Sequence, residues 1–156
     1  MAESAASLYE QDFYAWADQQ AALLRAGKLS AADIGNIAEE IESMGRGEQR
    51  ELESGLTVLL LHLLKWRCQP TLRSNSWRYS VIEQRRKIER HLRQNPSLCA
   101  TLAETIADSH GDAIIEAARE TGLDAATFPA ECPWSFERMT SGDFWPDSVT
   151  TAASTS

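Results

Sequence analysis

Residues 55–66 read GLTVLLLHLLKW, the most apolar stretch of the 156-residue chain. On a helix, at about 100° per residue, its apolar side chains and their neighbours form one broad stripe. The stripe consists of Leu52, Leu56, Leu59, Leu60, Leu63 and Trp66. Val58 and Leu61 fall outside it, so this helix is expected to bury a second face too. The stretch therefore predicts the central helix of a core, from about Arg46 to Cys68.

The same stretch is too short to cross a membrane, because a transmembrane helix needs about 20 predominantly apolar residues. Charged residues close it on both sides, at Glu51 and Glu53 before it and at Lys65 and Arg67 after it. The N-terminus, MAESAASLYEQD, has neither the basic start nor the apolar segment of a signal peptide. Three widely spaced cysteines are typical of reduced thiols in the cytosol. These features predict a cytoplasmic protein with no membrane partner.

Capping residues, glycines and prolines divide the rest of the chain into helices. Further helices are predicted from Asp12 to Gly27, from Ser30 to Gly45, from about Trp77 to Gln94 and from Pro96 to Gly122, with one short helix opened by Pro133. No segment alternates with the period of a strand over a useful length. The sequence predicts an all-α fold: a single-domain helical bundle of about five main helices with a short C-terminal helix over residues 1–147. Residues 148–156 are predicted to be a disordered tail.

Charge is distributed unevenly along the chain. The net charge is −8, yet residues 65–93 contain nine basic and two acidic residues, which leaves the remainder at −15. Such segregation favours a non-enzymatic interaction protein with separate acidic and basic surfaces, whose partner is another protein or a second copy. Val58 and Leu61 are the candidate self-association residues, because they need cover from another helix or another subunit. A homodimer is therefore expected.

A second hypothesis is a small enzyme or a ligand-binding protein. Arg85 falls within the apolar stripe of the helix from Trp77 to Gln94, and a buried guanidinium requires carboxylate or carbonyl partners. Glu40 and Glu42 are the candidate partners, so a buried ion pair is predicted. With His62 at the edge of the central stripe, these residues form a candidate polar cluster.

Motifs that would specify a reaction are absent from the sequence. It has no Glu-x-x-His pair, no zinc-protease motif, no serine-nucleophile motif and no phosphate-binding glycine loop. No metal site, no cofactor and no catalytic residue is therefore predicted, and whether the protein is an enzyme stays open. His62 and His110 are interpreted as structural core histidines, and His91 is placed on a basic, solvated face.

A third hypothesis is nucleic-acid binding through the basic helix 77–94. Arg86, Arg90 and Arg93 form a solvent-facing ridge there, the candidate basic surface. The net charge of −8 argues against it, because it would repel phosphate at a distance.

Several motifs follow one another in a family-specific order. They are YEQDFYAWADQQAALLRAG, IAEEIESMG, LLLHLLKWRCQP, SWRYSVIEQRRKI, NPSLCATL and FPAECPW. In this order they resemble the bacterial family catalogued as domain of unknown function 29, over roughly residues 8–147. The resemblance implies a small all-α bacterial domain and supplies no activity, cofactor or catalytic residue.

Overall fold

The computed structural model describes residues 5–147, and it confirms the all-α helical fold. Within this range the chain forms six α-helices, several 3₁₀ turns and no β-strand. The helices are α1 (Ala5–Gln11), α2 (Phe13–Arg25), α3 (Ile34–Cys68), α4 (Asn75–Gln94), α5 (Leu102–Thr121) and α6 (Phe136–Thr140). None of them combines the length and the apolar content that crossing a membrane requires. The tail predicted to be disordered, residues 148–156, lies outside the described residues.

Helix α3 is one continuous helix of 35 residues, although the sequence predicted two. The predicted break at Gly45 is wrong, because the chain stays helical through both Gly45 and Gly47. A helical glycine costs only about 1 kcal/mol relative to alanine. Good helix formers surround these glycines, and Arg46 lies 3.9 Å from Glu42 one turn earlier. Favourable neighbours on both sides therefore outweigh the cost of the glycines.

The chain divides into two compact units, with the boundary between Gly47 and Glu48, inside α3. The prediction of one domain over residues 1–147 is not tested by this division and stays a prediction. The first unit contains α1, α2 and the start of α3. Trp16 is buried there and donates a hydrogen bond from Nε1 to Asp33, at 3.0 Å. Asp12 caps α2 as predicted, but the preceding helix α1 was not predicted.

The second unit contains the apolar core, which forms around the C-terminal half of α3. The predicted central stripe is confirmed, with five of its leucines at most 1% exposed; they are Leu52, Leu56, Leu59, Leu60 and Leu63. Helix α4 contributes Val81 and Ile88, and α5 contributes Ala113 and Ala117. Helices α3 and α4 approach closely at Gly55, where an added Cβ would lie 3.3 Å from Cγ1 of Ile88.

Three helix boundaries in this unit differ from the predicted ones. Pro96 opens a 3₁₀ turn, Pro96–Thr101, and α5 begins only at Leu102. The short C-terminal helix begins after Ser135, whose hydroxyl accepts from the backbone of Arg138, rather than at Pro133. Helix α4 begins two residues earlier than predicted, because the Ser74 hydroxyl caps it. Hydroxyl capping decides two of these three boundaries.

Candidate functional site

Arg85 is buried, as the sequence predicted, but backbone oxygens take the place of the predicted carboxylate. Its side chain donates from Nε to the carbonyl of Met139 at 2.8 Å and from Nη2 to the carbonyl of Phe144 at 2.5 Å. Its guanidinium carbon lies 5.2 Å from the centre of the Trp145 ring. Nη1 has no acceptor among the described residues, and burial lowers the pKa of Arg85. Arg85 thus fastens α6 and the segment after it onto α4.

The other members of the predicted polar cluster each have partners of their own. Glu40 accepts a hydrogen bond from the hydroxyl of Tyr9, which raises the pKa of Tyr9. Glu42 lies next to Arg46 on an exposed helix face. His62 donates from Nδ1 to the carbonyl of Val58, one turn earlier in α3, at 2.8 Å. Glu40, Glu42 and His62 thus each have a partner within their own compact unit.

His110 is buried at 1% exposure and donates from Nε2 to the carbonyl of Pro129 at 2.8 Å. That bond ties α5 to the irregular segment before α6. Its Nδ1 has no partner in the described part of the chain. This arrangement supports the interpretation of His110 as a structural core histidine.

A groove of about 540 Å³ runs between α3 and α5, and the predicted self-association residues line it. We call it the acidic groove. Its apolar part consists of Val58, Leu61 and Ile115, of which Ile115 is 58% exposed. Its charged wall residues are Arg50, Glu53, Asp112 and Glu116. One positive and three negative side chains therefore surround an apolar floor.

The predicted basic surface lies on the solvent-facing side of α4, where Arg86, Arg90 and Arg93 are all exposed. Tyr79, 66% exposed, and Ile82 extend this surface towards the start of the helix. We call the whole surface the basic ridge; it consists of Tyr79, Ile82, Glu83, Arg86, Lys87, Glu89, Arg90 and Arg93. Four basic side chains outnumber two acidic ones on it. The ridge thus has an apolar end as well as a net positive charge.

His91 was placed on a solvated face, and the structure corrects this, since its side chain is only 8% exposed. Its Nε2 lies 2.8 Å from the backbone carbonyl of Glu48 and 3.4 Å from the carboxylate of the same residue. Its Nδ1 lies 3.8 Å from the carboxylate of Glu51. The three side chains form the one group of possible metal ligands found in the described residues. This group was not predicted from the sequence.

Two sequence signals could have revealed this group. His91 follows Ile88 by three positions and precedes Leu92, which places it beside the buried stripe of α4. Glu48 and Glu51 are also three positions apart, so both project from the same face of α3. Neither signal predicts that α3 and α4 lie next to each other. The close approach of the two helices at Gly55 places the three side chains together.

Comparison with known proteins identifies a family and no activity. The sequence profile described as Domain of unknown function DUF29 matches residues 8–145, which agrees with the resemblance seen in the motifs. No curated protein and no solved structure matches the chain. Since the match covers nearly the whole sequence, the chain belongs to the DUF29 family.

Proposed function

We propose that the protein is a non-enzymatic interaction protein that binds a second copy of itself. In this proposal the basic ridge of one copy lies in the acidic groove of the other. The observation that carries the proposal is that one chain presents both surfaces, with opposite charge and with apolar residues on each. The segregated charge of the sequence supports it.

Charge complementarity selects the occupant of the groove. The walls carry one positive and three negative side chains, whereas the ridge carries four positive and two negative ones. Glu116 already contacts Arg119 at 3.0 Å, but this pair is exposed and so contributes little. A cationic helix face is therefore favoured in the groove over a neutral or an acidic one.

Apolar burial supplies the contact that salt does not screen. Val58 is half-buried and Ile115 mostly exposed on the groove floor, while Tyr79 and Ile82 lie at the apolar end of the ridge. Removing such surface from water contributes about 25 cal/mol per Å². Because each copy offers one groove and one ridge, two copies can form the same contact twice, as in a two-fold dimer.

The cellular compartment is part of the same proposal. No disulfide links Cys68, Cys99 and Cys132, all of which are free thiols. Free thiols persist in a reducing compartment, which supports a bacterial cytoplasmic location.

Sedimentation velocity at tens of micromolar protein tests the proposal. Wild type is expected to be a dimer at low salt. The dimer should dissociate more readily in molar salt, because exposed charges are screened within about 8 Å already at physiological ionic strength. Reversing the groove charge with Asp112→Lys and Glu116→Lys together should give a monomer. The control pair, Glu10→Lys and Asp18→Lys, makes the same change in net charge on exposed positions of α1 and α2. A monomeric wild type, or a control as monomeric as the groove variant, would overturn the proposal.

A further inference from the structure

The backbone fixes how the His91 imidazole presents its two nitrogens. A carbonyl oxygen can only accept a hydrogen bond, so Nε2 carries the proton that it donates to Glu48 at 2.8 Å. In the neutral ring Nδ1 is then unprotonated and carries a lone pair. This is the arrangement found around metal-binding histidines, whose other ring nitrogen donates to a carbonyl or a carboxylate.

The charges around Nδ1 favour a bound cation there. The Glu51 carboxylate lies 3.8 Å away, too far for a hydrogen bond and close enough for its negative charge to face the lone pair. The Glu48 carboxylate lies beside the same ring, 3.4 Å from Nε2. The Glu51 carboxylate therefore favours a positive charge at Nδ1, while the Glu48 carboxylate approaches the ring from the side of Nε2.

We propose that His91, Glu51 and Glu48 bind one divalent transition-metal ion between α3 and α4. One ligand atom can be taken from each side chain such that all three atoms lie within 4.8 Å of one another. Two ligands on one zinc ion are at most about 4.2 Å apart, since each metal–ligand bond is about 2.0–2.1 Å. The Glu48 and Glu51 side chains are 47% and 71% exposed, so small rotations can close the difference. The site goes beyond the proposed self-association and does not depend on it.

The ligand set decides the class of ion. One imidazole nitrogen with two carboxylates suits zinc or another first-row transition metal, whereas calcium and magnesium prefer sites made of oxygen alone. The site adjoins a second groove, of about 220 Å³, lined by His91, Glu51, Gly55 and Gln84 among others. Lys87 also lines this groove, but its ammonium is 2.9 Å from Glu83, which offsets its charge. Water in the groove can complete the coordination.

Isothermal titration with zinc chloride tests the site. All proteins carry Cys99→Ser, because the exposed Cys99 thiol would itself bind zinc. The parent protein is expected to bind one equivalent, and Glu51→Gln and Glu48→Gln should each weaken binding at least about tenfold. The matched control is Glu89→Gln, which removes an exposed carboxylate of α4 outside the ligand set and should bind zinc like the parent.

The role of His91 is tested by NMR rather than by substitution, because the side chain is buried and its replacement would also disturb folding. Zinc should shift the Nδ1 resonance of His91 and leave the Nε2 proton in place. Absence of binding would overturn the proposal, as would equal affinity in the parent and both ligand variants, which would mean an adventitious ion only. A shift at His62 or His110 instead of His91 would also overturn it.

Discussion

The bond network of Arg85 gives a prediction whose size can be estimated from the structure. Arg85→Ala removes the side-chain donors that bond the backbone carbonyls of Met139 and Phe144. A buried acceptor left without a partner costs about 1–3 kcal/mol, so the two carbonyls together cost about 2–6 kcal/mol. The change also removes a buried cation whose Nη1 has no acceptor within residues 5–147, which is favourable. The net loss in the free energy of unfolding is expected to be about 2–4 kcal/mol.

Urea unfolding followed by circular dichroism measures this loss, and a second variant separates its causes. Arg85→Met keeps most of the apolar stem, so a similar loss in Arg85→Met and Arg85→Ala would assign it to the carbonyls. Arg78→Ala, on an exposed position of the same helix, should change the stability by less than about 0.5 kcal/mol.

Hydrogen exchange locates the same effect along the chain. Amides from Phe136 to Trp145 should lose protection in Arg85→Ala more than those of α3, because Arg85 holds that segment. A loss below about 1 kcal/mol together with unchanged protection would refute the reasoning, since water must then satisfy both carbonyls at little cost.

Three further predictions concern single sites. Gly55→Leu should destabilise the protein by about 1–3 kcal/mol in urea unfolding, since even a Cβ there would lie 3.3 Å from Ile88; unchanged stability would mean that α3 and α4 are not held this close. With a thiol-specific disulfide reagent at neutral pH, Cys99 should react first, because burial raises the pKa of Cys68 and Cys132; a fast reaction that survives Cys99→Ser would contradict this. Hydrogen bonds from Asn36 and Trp16 lower the pKa of Asp33, so its contribution to stability is complete above the unfolded pKa of about 4 and is lost as pH falls through the lower folded pKa. Asp33→Asn should therefore show less acid destabilisation than wild type, and an equal acid dependence would count against these bonds.

Regular periodicity explains what the sequence could predict of the fold. Leu52, Leu56 and Leu60 recur every four residues, so the buried face of α3 follows from local spacing alone. The predicted helix end at Gly45 was wrong, because a glycine does not end a helix when good helix formers surround it. Helix α1 was not predicted for the opposite reason, since its seven residues include no acidic residue in the first turn and no basic residue in the last turn.

The sites depend on contacts that no spacing encodes. Arg85 could be placed in the core from its neighbours Val81 and Ile88, but its acceptors lie more than fifty residues later, in a segment without periodicity. His91 lies among basic residues in sequence, and its burial follows from the crossing of α3 at Glu48. Long-range packing therefore decides the partners of both side chains.

Mixing two charge-reversed variants tests the proposed self-association most directly. One variant carries Arg86→Glu and Arg90→Glu on the basic ridge, and the other carries Asp112→Lys and Glu116→Lys in the acidic groove. Each should be a monomer alone, because its ridge and its groove then carry charge of the same sign. The ridge of one copy is therefore repelled by the groove of another. Mixed in equal amounts, they should form a one-to-one heterodimer by light scattering, since every ridge again faces a groove of opposite charge. Two monomers that stay monomeric on mixing would contradict the proposal, as would dimers formed by either variant alone.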